Sequence, residues 1–276
     1  MIICPAVTKK AIQHHYDLAT LFYRLLWGPH IHHGLWEEEV NPLLAQRRLI
    51  DRVAVAVGLR EGEKILDVGC GMGGSAVELA THYRCSVTGV TLSPVQCCWA
   101  RLLAAWHGVR RRVRFCCADA EEVKFSPGAF DVIWTVECSE HFFDKPAFFH
   151  RAATWLRAGG RVALCAWLAG NGSGIEPHVQ AVGEGFLCPS FGTAKDYRHW
   201  LESAGLVVTI DENLTAQVIR TWDICHRRVQ MSGVGVLGRL AGRSMRQFLN
   251  RFTALGDAYR NGAMQYGLLV AERPAS

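Results

Sequence analysis

Lys64-Ile65-Leu66-Asp67-Val68-Gly69-Cys70-Gly71-Met72-Gly73-Gly74-Ser75 is the stretch on which the reading of this chain turns. The apolar run Ile65–Val68 is short and stops at glycine, which predicts a buried strand entering a tight turn. A helix is expected to open at about Ser75. The glycines permit backbone angles that a Cβ forbids and let a ligand lie against the main chain. Free N–H groups at the helix start can face a negatively charged ligand group. Together these features predict a nucleotide-like cofactor site. The run fits Gly-x-Gly-x-x-Gly at Gly69, Gly71 and Gly74, the dinucleotide pattern. It fits Asp-x-Gly-x-Gly-x-Gly at Asp67, Gly69, Gly71 and Gly73 equally well.

Outward from this turn the pattern alternates strand and helix, which predicts an α/β fold with a parallel sheet covered on both faces. The expected strands are 63–68, 86–92, 113–117, 130–136, 161–167, 206–210 and a last one at 265–272. Ser93-Pro94 starts a helix with proline where its missing N–H costs least. Two helices, 8–26 and 38–58, precede the first strand and form an N-terminal cap over residues 1–60. Residues 61–276 form the main domain, with a helical insertion at about 213–260 before the final strand. The glycine-rich stretch 169–192 is expected to be loose.

Half of the 276 residues are hydrophobic, so a large core is attainable and general disorder is excluded. No apolar run reaches the length of a membrane span, so no stable membrane insertion is expected. Met1–Lys10 resembles neither a signal nor a transit peptide, so the expected location is cytoplasmic. The net charge of +5 is mild. The basic run Arg110-Arg111-Arg112 with Arg114 is expected to be a solvated turn. It lacks interleaved aromatics for stacking bases, and no nucleic-acid partner is expected. The 11 cysteines include no Cys-x-x-Cys and are read as small buried hydrophobes. Oligomeric state is open, a homo-oligomer included.

A nicotinamide site needs a carboxylate at the end of the second strand. That strand ends Gly89-Val90-Thr91-Leu92-Ser93-Pro94-Val95-Gln96, with no acid and no arginine. The same segment resembles a branch of the class I S-adenosylmethionine (SAM) methyltransferases that includes tocopherol methyltransferases and, more distantly, cyclopropane fatty acid synthases. Cys117-Ala118-Asp119-Ala120, Glu137-Cys138-Ser139-Glu140-His141 and Leu156-Arg157-Ala158-Gly159-Gly160 are similar to further segments of that branch. So are Tyr16-Asp17 and His30-Ile31-His32-His33-Gly34-Leu35-Trp36 near the start.

The resemblance implies a Rossmann-like fold with a seven-stranded, mostly parallel sheet, and SAM as cofactor. It implies cofactor contacts at Tyr16, Asp67, Gly69, Gly71, Gly73, Thr91, Gln96, Asp119 and Ala120. Gln96 would reach the ribose and Asp119 the adenine amino group. Glu137 and His141 are the candidate catalytic residues, as general base or as orienting groups. Glu140 is expected to be a solvated loop charge. His33, Trp36 and Trp167 are candidates for the acceptor site. His30, His32 and His33 are read as a cap loop at the active-site mouth rather than a zinc centre, because no i,i+4 pair brings two of them together. The expected acceptor is an apolar small molecule, a prenylated or aromatic natural product, with carbon slightly preferred over oxygen or nitrogen by analogy. An NAD(P)-dependent oxidoreductase and a non-catalytic SAM-binding protein are the alternatives.

Overall fold

The computed structural model describes residues 1–4, 7–26, 28–231 and 252–275. Its centre is a seven-stranded sheet in the order β4-β3-β2-β5-β6-β9-β8. The strands are β2 (Lys64–Val68), β3 (Ser86–Thr91), β4 (Val113–Cys117), β5 (Phe130–Val136), β6 (Leu156–Ala169), β8 (Val207–Asn213) and β9 (Met264–Glu272). Strands β2 to β6 pair in parallel, whereas β9 runs antiparallel between β6 and β8. The expected α/β class and the mostly parallel sheet are both present.

Helices α3 (Gly74–His82), α4 (Pro94–Trp106) and α5 (Lys145–Trp155) follow β2, β3 and β5. Helix α4 begins as its sequence dictates: Ser93 caps it by accepting from the Gln96 N–H, and Pro94 occupies the first turn. Before the sheet come α1 (Lys9–Leu26) and α2 (Pro42–Ala56), and α7 (Ala194–Ser203) precedes β8. Of the expected insertion at 213–260, the structure describes α8 (Thr215–Val218), α9 (Arg220–Met231) and α10 (Phe252–Arg260), while 232–251 lie outside the described residues.

The stretch 169–192 is not loose. It holds α6 (Glu176–Phe186), and Ser190–Phe191 forms β7, paired antiparallel with β1 (Ile2–Ile3). Gly172 and Gly174 lie in an exposed turn, but Gly170, Gly183, Gly192 and Pro189 are buried in packed structure. Pro177 lies in the first turn of α6, and a Cβ on Gly183 would come within 2.3 Å of Cys4 Sγ. The expected strand at 161–167 also runs longer, because β9 pairs with it through Ala169.

Strand order reverses between β2 and β5, and a crevice opens at such a point beyond the strands' carboxyl ends. The turn after β2 and the turn after β5 meet there. Gly69, at φ +75°, lies so close to Cys138 that a Cβ would stand 2.2 Å from Sγ and 2.4 Å from its Cβ. Gly69→Ala is therefore expected to destabilise the fold by roughly 2–4 kcal/mol, through backbone strain and overpacking. Urea unfolding checks this. Cys138→Ala should not restore the loss, because the Cβ contact remains.

Candidate active site

Two cavities meet above the β2/β5 crevice. The first is a cleft of about 1010 Å³, counted out to solvent, walled by the glycine turn, the end of β3 and α1. The second, counted the same way, is about 470 Å³ and lies towards β6, α6 and α9. Tyr16, Ile31, Glu137 and His141 line both, so these four side chains form the junction.

The first cleft gathers Tyr16, Asp67, Gly69, Gly71, Thr91, Gln96, Asp119 and Ala120. Asp67 is 3 % exposed, and burial raises its carboxyl to about pKa 7. Its Oδ2 has no protein partner. A cationic amine would satisfy it. Gln96 accepts a hydrogen bond from Thr91 Oγ1 at 3.2 Å, while its amide nitrogen is buried without a partner. A hydroxyl-bearing ligand would satisfy that donor. The space above Gly71 is open: a Cβ there would meet nothing closer than 4.0 Å. Gly73 is not on the cleft wall. At φ +81° it caps α3 and packs against Ala100 and Phe115.

Helix α1 closes this cleft through polar bonds. Lys9 donates to Asp119 at 2.5 Å and pairs with Glu121 at 3.1 Å. Ser93 Oγ donates to Asp17 at 2.5 Å. The other Asp119 oxygen accepts from the Glu121 N–H. Neither Lys9 nor Ser93 stands out in the sequence as a contact, because both matter only through partners distant along the chain. His30 and His32 lie on the same wall. Gln46 donates to both of their carbonyls, which fixes the loop.

At the junction, His141 Nδ1 lies 3.1 Å from the Leu187 carbonyl and Nε2 lies 2.8 Å from Tyr16 Oη. The carbonyl can only accept, so Nδ1 carries the proton and Nε2 accepts from the tyrosine. Burial lowers the imidazole to about pKa 4, which keeps it neutral at physiological pH. His141 is thus a standing proton acceptor.

Glu137 is different. Its carboxylate accepts from the His33 N–H at 2.7 Å, His33 Nδ1 at 2.9 Å, Trp167 Nε1 at 3.0 Å and Tyr266 Oη at 2.8 Å. Burial alone would raise its pKa, but His33 and the donated bonds outweigh burial and hold it below the usual range. A saturated carboxylate is a poor base and a strong anchor. His33 completes the anchor: its Nε2 accepts from the Trp222 indole at 2.6 Å.

Glu140 is not a solvated charge. It is 2 % exposed, accepts from the Trp167 backbone N–H, and burial raises it to about pKa 8. Near neutral pH it is a carboxylic acid, with Oε2 buried and unpartnered at the wall of the second cavity. Residue spacing alone does not report this burial, which comes from β6 lying alongside. Trp167 and His33 line the second cavity with Phe186 and Trp222, whereas Trp36 lines neither. The Trp36 indole donates to Thr221 Oγ1 at 2.9 Å and its backbone to Gln217, so it ties the histidine loop to α8 and α9.

A family model described as mycolic acid cyclopropane synthetase matches residues 5–264. The chain belongs to this family. It is 32% identical over 272 residues to 27-O-demethylrifamycin SV methyltransferase of Amycolatopsis mediterranei (strain S699), covering 97% of this chain and 98% of that protein. It is 27% identical to the chloroplastic tocopherol O-methyltransferase of Arabidopsis thaliana, over 96% of this chain and 82% of the relative. The cyclopropane synthase MmaA2 from Mycobacterium tuberculosis superposes with a TM-score of 0.86 at 21% identity, covering 97% and 99% of the two chains. The chain is a SAM-dependent methyltransferase, and the oxidoreductase alternative falls.

The cleft's features suit this cofactor: a buried unpartnered carboxyl for an amine, an unpartnered amide for a ribose, and open space over a glycine. At the junction, Glu137→Ala is expected to cost about 3–5 kcal/mol, because it strands buried donors from His33, Trp167 and Tyr266. Thermal and urea unfolding of the variant check this.

Proposed function

We propose that this methyltransferase places its acceptor in the second cavity, the chamber beside Trp167, and methylates an acidic hydroxyl of an apolar aromatic small molecule. The observation that carries the reading is His141, neutral and with its acceptor nitrogen at the junction of the two cavities. The cofactor supplies an activated methyl group, so the protein must align the acceptor and exclude water. An acceptor hydroxyl would replace Tyr16 Oη at His141 Nε2 and pass its proton there. A base of low pKa is always available but weak, which suits a phenol-like hydroxyl better than an aliphatic one. Glu140, as a carboxylic acid, would donate to a second acceptor oxygen. Trp167, Phe186 and Trp222 supply the apolar wall.

On the donor side, Asp67 would hold the methionine amine, Gln96 with Thr91 the ribose, and Asp119 with Ala120 the adenine. Gly69 and Gly71 would seat the methionine tail. Residues 1–60 would act as a cap over the domain 61–276, supported by the bonds from α1 to Asp119, Ser93 and His141. The protein would work in the cytoplasm.

A carbon acceptor is the second reading. Trp167 packs edge to face against Phe186 and Trp222 beside the chamber, and a ring face turned towards the acceptor would stabilise a carbocation left by methylation of an alkene. Incubation with SAM and a panel of phenols, prenylated phenols and prenyl diphosphates, followed by mass spectrometry and NMR of the new methyl group, separates the two. Methylation of alkene carbons alone would overturn the hydroxyl reading.

His141→Gln should lower kcat by roughly 10²–10⁴-fold, the usual range for a lost general base, with little change in SAM affinity. Equal loss in both would refute the assignment. The pH dependence separates two groups. His141 remains unprotonated down to about pH 4, so it contributes no acid limb between pH 6 and 8. Asp67 titrates near pH 7 in the free protein, and an amine stabilises its ionised form. SAM affinity should therefore be full above pH 7 and fall below it, by at most about tenfold per pH unit. Calorimetry from pH 5.5 to 8 checks this, and Asp67→Asn should abolish the dependence.

A further inference from the structure

Helix α1 turns its inner face to the cleft, with Lys9, Ile12 and Tyr16 on the cleft wall. The C-terminal half of its outer face is apolar and exposed. Leu18, Leu21 and Leu25 are 56 %, 58 % and 62 % exposed and follow helical spacing. Helix α4 packs on α1 and repeats the pattern. Val95, Trp99, Leu102 and Trp106 fall at i, i+4, i+7 and i+11, and Trp106 is 88 % exposed. Single exposed apolar residues need no explanation, but two such stripes on packed helices do.

The charges around these stripes have one sign. Helix α4 and the turn after it, through Arg112, contain no acidic residue. Helix α1 contains only Asp17, which is bonded to Ser93. Lys10 and Arg24 flank the leucines, and Arg110, Arg111 and Arg114 follow Trp106. Among the described residues no carboxylate pairs with any of these five.

We propose that the outer faces of α1 and α4 form a docking surface for an anionic lipid bilayer. Exposed leucine and tryptophan enter the interface while lysine and arginine meet the head groups. The charge pattern argues against a second copy of this chain, since two basic rims would face each other. It also gives the arginine run a role beyond that of a solvated turn. No helix among the described residues is long and apolar enough to cross a membrane, so the contact is peripheral. The geometry adds a consequence for catalysis. The helix that meets the lipid on one face also lines the acceptor chamber through Tyr16 and Tyr23, so an apolar acceptor dissolved in the bilayer would enter beside α1. The docking surface itself stands whatever the acceptor proves to be.

Co-sedimentation of the full chain with phosphatidylcholine vesicles, with and without phosphatidylglycerol, tests this. Binding is expected only with the anionic lipid and should weaken as salt is raised. Leu102→Ser with Trp106→Ser should reduce binding, and so should Arg110→Glu with Arg111→Glu, each by about tenfold or more. Neither pair lies in the cofactor or acceptor machinery, so melting temperature and SAM affinity should be unchanged. Absence of vesicle binding, equal binding to neutral vesicles, or binding indifferent to both double variants would overturn the proposal. A vesicle-free, concentration-dependent dimer that Trp106→Ser dissolves would overturn it in favour of a second copy. Binding to an acidic carrier protein without binding to lipid would overturn it in favour of a protein partner.

Discussion

A buried carboxylate needs donors, and Glu137 draws them from three distant parts of the chain: the histidine loop, β6 and β9. Left unpaired, such a charge would cost several kcal/mol. Its own backbone is left-handed, at φ +53°, a conformation that a bulky residue adopts only when its surroundings impose it. The same turn carries Cys138 against Gly69, so it also seats the glycine turn. Donor cleft and acceptor chamber are therefore built on one turn after β5. A shift of that turn would disturb both.

The neighbouring acids show how burial and partners set protonation. Glu137 has four donors and remains ionised, whereas Glu140, three residues on, has only backbone donors, which do not offset its burial, and is raised to about pKa 8. Asp67, with an unpartnered oxygen, stands near pKa 7. His141 is neutral for the same reason of burial. Lys145, 0 % exposed, donates to the Phe142 carbonyl and to the Ser190 carbonyl and hydroxyl. It thereby fastens the segment carrying the Leu187 carbonyl to the segment carrying His141. One buried cation thus supports the geometry that sets the His141 tautomer.

Family resemblance and site chemistry answer different questions here. The fold is shared with proteins whose names span O-methylation and cyclopropane synthesis. What this chain does with its methyl group depends on the acceptor chamber, which is walled by Phe186, Cys188 and Trp222 from outside the glycine turn and its neighbouring strands.

Much of this protein is local and was legible in the residues. Period-two and period-3.6 patterns, proline at helix starts and the glycine turn carry the order of strands and helices. The absence of an acid after β3 and the presence of Gln96 and Asp119 point to the donor. Tertiary structure alone decided the burial of Glu140, the saturation of Glu137, the place of Trp36 away from both cavities, and helix α6 within a stretch rich in glycine. Each of these depends on partners far apart in the chain: Glu140 on Trp167, Glu137 on His33 and Tyr266, Trp36 on Thr221, Gly183 on Cys4. Local sequence sets backbone preference, but protonation and polarity follow from which groups long-range packing brings within hydrogen-bonding distance and which it removes from water.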